Sequence, residues 1–148
     1  MNAAGQIIVP VTCSAAAYSA NDCIGGLLAV KLPEYGVIEA ITLSDAGQQK
    51  AAIQLVLFHT LPTVIADHAA FAPTAADMQK ILQVVKIAAT DYVDYGALSV
   101  ANVGNLRIPF SAVVGANLIG KIWASLVATA TPDYVATTDL QLTLLITA

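Results

Sequence analysis

Over much of the chain, apolar and polar side chains change places every second residue, and clusters of Pro, Gly, Asp and Asn cut the pattern into short pieces. Alternation of this kind over about four to eight residues marks a strand with one buried face. The closing segment Leu140–Thr147 puts Leu140, Leu142, Leu144 and Ile146 on one face and Gln141, Thr143 and Thr147 on the other. Gly36–Ser44 divides into Val37, Glu39, Ile41 and Leu43 against Ile38, Ala40, Thr42 and Ser44, and Ala52–His59 into Ile53, Leu55 and Leu57 against Gln54, Val56 and Phe58. Leu118–Thr129 alternates through Trp123, Ser125, Val127 and Thr129.

Four further segments read as strands: Gln6–Cys13, Leu27–Leu32, Val84–Ala88 and Leu106–Val114. Pro10 lacks a backbone donor, so the first of these is expected at a sheet edge or at a bulge. Thr74–Leu82 is the one helical candidate: Thr74 is a good N-cap, Asp77 stands three residues on, and Met78, Ile81 and Leu82 share a face. Ser14–Gly26 reads as a small-residue stretch ending in a Gly-Gly turn, and Asp45–Lys50 as a polar turn. Leu61–Pro73, Thr90–Gly104 and Thr131–Asp139 read as loops. About eight strands and one short helix, without a fixed repeat or a linker, describe a single all-β domain over residues 1–148, a sandwich or a barrel.

Composition changes this picture in one respect. Apolar residues make up 57% of the 148 and charged residues only 11%, against roughly a quarter charged in an ordinary soluble domain. Alanine accounts for 28 positions, so much of the apolarity is small side chains. Such a chain is too apolar to be disordered, yet 16 charged residues are few to cover a free monomer. Part of the surface is therefore expected to lie against another copy or a larger assembly. Six Lys and Arg in a chain of net charge −4 make no basic face, which argues against nucleic acid as a partner.

A mean hydropathy of +0.73 raises the membrane question. Met1–Asn21 is uncharged but carries Asn2, Gln6, Pro10, Thr12, Ser14 and Ser19, unlike a span of about 20 predominantly apolar residues. It also lacks the basic start of a secretory signal. No membrane partner is expected. Cys13 and Cys23 stand ten apart; in this setting they read as reduced, half-buried thiols, although a disulfide is open to them by geometry.

Candidate chemistry is sparse. His59 and His68 lack a third metal ligand at a usual spacing. Asp91 and Asp94 lack the calcium-loop pattern, and Asp22 before Gly25-Gly26 suits an Asx turn. Ser14, Ser19, Ser44, Ser99, Ser111 and Ser125 all lack a nucleophile-elbow context. Trp123 reads as core or interface. No catalytic, cofactor or metal residue is expected, and the chain is not expected to be an enzyme.

The stretch Tyr18-Ser-Ala-Asn-Asp22-Cys-Ile-Gly25-Gly26, followed by Gly36-Val-Ile-Glu-Ala-Ile-Thr-Leu-Ser-Asp45, resembles the capsid cement (decoration) proteins of tailed bacteriophages. So do Ala51–Phe58, Ala66-Asp67-His-Ala-Ala-Phe71 with Asp77, Ile119-Gly120, Ala130-Thr-Pro-Asp-Tyr134 and Asp139–Ile146. The resemblance runs from Tyr18 to the end and is made of pattern and turn residues. Cys23, where a β-branched residue is expected, and His68, in an Asn-like place, depart from it.

What the resemblance implies is a jelly-roll-like β-sandwich without catalytic, cofactor or metal residues. It would oligomerise as a homo-dimer or homo-trimer on the outer surface of the virion and bridge neighbouring subunits of the major capsid protein. Leu61–Pro73, Thr90–Gly104 and Thr131–Asp139, long and apolar for loops, are the expected contact segments. Two other roles are compatible with the same pattern: a head-fibre base or tail component, and a carbohydrate- or receptor-binding jelly-roll module using exposed tyrosines.

Overall fold

A computed structural model describes residues 4–114 and 120–148. The chain forms β1 (Ala4–Pro10), β2 (Cys23–Leu32), β3 (Tyr35–Asp45), β4 (Ile53–Phe58), α1 (Ala75–Met78), β5 (Ile81–Ile87), β6 (Tyr92–Tyr95), β7 (Leu98–Val103), β8 (Ile108–Ser111), β9 (Val113–Val114), β10 (Gly120–Ala128) and β11 (Leu140–Thr147). One sheet has the order β1-β11-β3-β7-β6, with β8 also on β3; the other has the order β2-β10-β4-β5, with β9 on β10. All pairings are antiparallel.

The pairing follows a simple rule. The first strand pairs with the last, β2 with β10, β3 with β7 and β8, and β4 with β5. A long antiparallel ribbon rolled up in this way is a jelly-roll sandwich. Its core is filled from both sheets by inward residues such as Ile38, Ile41 and Leu43 of β3, Leu55 and Leu57 of β4, Ile122 and Leu126 of β10, and Leu142 and Leu144 of β11. The alternation expected for β11 is met throughout, with Leu140, Leu142, Leu144 and Ile146 buried. Pro10 closes β1, an edge strand, where its missing donor breaks no ladder.

Five expectations need correction. Gly25-Gly26 is no turn between strands but a bulge inside β2: Ser125 pairs with Leu27 and Leu126 with Ile24, and the two extra residues take φ of 78° and 70°, the left-handed region that favours glycine. In β3 a bulge at Glu39 flips the phase, since Leu145 faces Ala40 and Ile146 faces Ile38; Ile38, Ile41 and Leu43 all point inward, and Val37 does not share their face. Thr90–Gly104 is not a loop. It holds a one-turn 3-10 helix at Ala89–Asp91 and the β6–β7 hairpin.

Leu106–Val114 is two strands. Ile108–Ser111 pairs with β3 and Val113–Val114 with β10, so the chain changes sheet at the buried Ala112. The helix ends at Met78 with Gln79 as its C-cap; Ile81 and Leu82 belong to β5, where Ile81 pairs with Phe58 and Leu82 is the bulged residue before Gln83. The first part of the expected strand Leu118–Thr129, Leu118 and Ile119, lies outside the described residues.

Candidate interaction surface

The structure brings together only some of the chemistry-bearing residues: Asp94 with Ser99, and Asp22 with His68, whose Oδ2 and Nδ1 stand 3.9 Å apart, while the buried Ser125 hydroxyl has no hydrogen-bond partner. His59 ends β4, and its N–H donates to the Lys80 carbonyl at 3.0 Å. Asp91 accepts the Ala88 N–H at 2.8 Å and so caps the 3-10 turn. Asp94 accepts from the Ser99 hydroxyl at 2.6 Å and from Lys50 Nζ at 3.0 Å, and these two partners hold its carboxyl below the usual range, Ser99 first. Among the described residues no group of three His, Cys, Asp or Glu could hold a metal ion, and no helix is long and apolar enough to cross a membrane.

Cys13 and Cys23 are free thiols and fully buried, where half-buried ones were expected. Cys13 Sγ–H donates to the Ala136 carbonyl at 3.2 Å. Burial pushes both thiols up, Cys23 to about 11, with Asp22 and Asp67 adding to the shift at Cys23.

A node that sequence reasoning missed lies where Leu61–Pro73 meets β2. Asp67 Oδ1 accepts from the Tyr18 hydroxyl and from the Gly25 N–H, both at 2.7 Å. The Tyr18 ring stacks on His68 at 3.9 Å with planes 4° apart, and the Ser14 N–H donates to the Tyr18 oxygen at 2.7 Å. Backbone bonds continue the attachment: Leu27 N–H to Ile65 O, Cys23 N–H to Ala69 O, His68 N–H to Cys23 O and Phe71 N–H to Asn21 O. The loop thereby covers the open edge of β2, which would otherwise present unpaired donors and acceptors. The signal for it in the sequence was Asp67 beside His68, two polar residues inside an apolar loop.

The same loop is held at its other end by Asp77, buried at 3% exposure, which accepts from the Thr63 N–H at 3.0 Å and the Thr74 N–H at 3.2 Å. These bonds, the Thr63 one first, depress its carboxyl strongly. Below the loop, Val56, Phe58 and Val127 form a second apolar cluster on the outer face of the five-stranded sheet, with Leu27, Phe71, Ile81 and Trp123 packed around it. That explains why β4 is buried on both faces.

Among the described residues, the outer face of the six-stranded sheet is exposed or half-buried. Pro10, Gln141, Ser44, Val100 and Val93 form one cross-strand row over five strands; Ile8, Thr143, Thr42 and Asn102 form a second; Gln6, Leu145 and Ala40 form a third. These rows contain no charged side chain. Beside them Glu39 accepts from the Thr147 hydroxyl at 3.0 Å. Ile8 is 61% exposed on this face. The three segments expected to make contacts present further large apolar side chains: Leu61 and Val64, Val93 and Tyr95, and Val135 at 82% exposure.

No family model matches the chain, and no curated protein or solved structure matches it either.

Proposed function

We propose that this chain is a structural virion protein, a capsid cement protein that oligomerises on the outside of a tailed-phage head and bridges its capsomers. The observation that carries the reading is the set of three uncharged cross-strand rows on the outer face of the six-stranded sheet, built of Thr, Ser, Asn, Gln, Ala, Val, Leu, Ile and Pro, with Glu39 at their margin. Burying such a face against protein removes apolar area from water without stranding a charge. The shortage of charged residues over the whole chain and the resemblance from Tyr18 onward support the same reading.

In mechanical terms a cement protein adds buried area across seams that internal pressure pulls apart. Each contact of about 800 Å² is weak alone, and a symmetric oligomer multiplies it by avidity. Exposed Val64 and Val135 offer contact points outside the sheet face.

Light scattering behind a sizing column is the first test, followed by sedimentation with tailed-phage heads stripped of their own cement layer. A dimer or trimer that sediments with heads, and that loses this when Thr42→Lys and Thr143→Lys are combined, supports the reading. A monomer that ignores heads while binding a glycan array through Tyr35 or Tyr95, both exposed, moves the assignment to a receptor-binding module.

A further inference from the structure

The five-stranded sheet carries an electrostatic feature that its fold does not need. Lys31 of β2 and Lys121 of β10 stand directly opposite each other in register, and both are exposed on the outer face. Like charges placed across a strand pair destabilise the sheet. Among the described residues, Lys50 and Lys80 take part in ion pairs, and Lys31 and Lys121 take part in none.

The next residues outward on the same face complete a patch. Trp123 lies two positions along β10 from Lys121 and opposite the small, exposed Ala29. Its ring is half-buried and packed against the cluster of Val56, Phe58 and Val127, which fixes it. Two unneutralised ammonium groups next to a fixed aromatic ring match a ligand with two carboxylates and an adjoining apolar group.

We propose that Lys31, Lys121 and Trp123 form a docking surface for an acidic segment of another protein, one that presents paired Asp or Glu side chains beside an apolar one. Charge complementarity selects this occupant. Nucleic acid needs a longer track of cations than one pair, and anionic membranes are held by clusters of about four to eight. The proposal stands apart from the virion reading, since it rests only on this face.

Trp123 is the only tryptophan, so its fluorescence reports on the patch itself. Titration of the intact protein with poly-L-glutamate at low salt should shift that emission, and high salt should reverse the shift. The Lys31→Gln, Lys121→Gln double variant should lose the response and melt at a higher temperature than the wild type, because the repulsion is gone. Lys86→Gln, on β5 of the same sheet, should keep the response. Lys31→Glu, which sets opposite charges across the strands, should also raise the melting temperature while removing the response.

The proposal is overturned by a wild-type protein that does not respond, or by a response that survives in the double variant. An equal response to a single-stranded oligonucleotide or to phosphatidylserine vesicles also overturns it. If light scattering shows self-association that the double variant abolishes, the occupant is a second copy and not a foreign segment.

Discussion

The Tyr18 hydroxyl donates to Asp67 across 49 positions of sequence, and this bond, with those between Asn21 and Phe71, joins the Ser14–Asn21 stretch to the loop that covers β2. Tyr18 is 1% exposed and its ring lies flat on His68. The carboxylate oxygen that receives it also receives the Gly25 N–H of the β2 bulge. Tyr18 and the β2 bulge thus meet a distant loop at a single atom.

Removing that hydroxyl should loosen the loop before it unfolds the sandwich. Tyr18→Phe leaves the ring stacked and deletes a bond to a charged acceptor, a loss of roughly 1.5–3 kcal/mol. Denaturant melts should show this loss, and hydrogen exchange should show faster exchange at Leu27 and Phe71, whose N–H groups bond the loop or its base. Unchanged exchange at those amides would mean that the loop is held by something else.

The buried phenols set an alkaline limit. Burial raises the pKa of Tyr18, Tyr92 and Tyr134 well above the usual value. A group whose folded pKa lies above its unfolded value of about 10 lends stability that is fully present below that pH and is lost as pH rises toward the folded value. Spectrophotometric titration should therefore show these three phenols ionising together with loss of the β signal in circular dichroism. Ionisation of all five tyrosines in a chain that keeps its circular dichroism would contradict the burial.

Asp77 works at the acid end with the opposite sign. Its carboxyl is depressed by the Thr63 and Thr74 N–H groups, so its contribution is present above the unfolded pKa of about 3.9 and declines as pH falls below it. Asp77→Asn should melt below the wild type at neutral pH, and the gap should narrow on acidification past pH ~4. A gap that is constant with pH would assign the effect to packing.

Neither thiol should react in the native protein. Cys13 and Cys23 are buried and their pKa values raised, that of Cys23 to about 11, so a disulfide reagent at neutral pH should label two thiols only after denaturation. Cys23→Ala should be tolerated better than Cys23→Ser, which buries a hydroxyl without an obvious partner for roughly 1–3 kcal/mol. Rapid native labelling would show that the β2 edge opens.

Two glycines test the packing at the β3–β8 crossing. A Cβ at Gly36 would stand 2.7 Å from the Phe110 ring and 2.7 Å from the Thr147 carbonyl, whereas one at Gly104 meets nothing within 4 Å. Gly36→Ala should cost about 1–3 kcal/mol, and Gly104→Ala should change the melting point little. Equal effects in thermal melts would place Phe110 elsewhere.

Much of the fold was legible because alternation over a strand is a local property. Leu140, Leu142, Leu144 and Ile146 had to face a core together, and Pro10 had to sit at an edge, whatever the rest of the chain did. The Thr74–Asp77 capping box is local in the same sense, with the Asp77 N–H on Thr74 Oγ1 at 3.1 Å.

Other features depend on partners far away in sequence, and only the folded chain decided them. Glu39 reads as one more residue of an alternating strand until β11 pairs on both sides of it and leaves it unmatched. Gly25-Gly26 spells a turn, and becomes a bulge because β10 continues straight past it. Leu106–Val114 reads as one strand, yet its two halves find hydrogen-bond partners in different sheets. The Lys31–Lys121 juxtaposition is of the same kind: 90 positions separate two ordinary lysines, and register alone makes them neighbours. Side-chain pattern is set by each residue and its immediate neighbours, whereas register is set by which backbones compete for the same hydrogen bonds, and that competition exists only in the assembled sandwich.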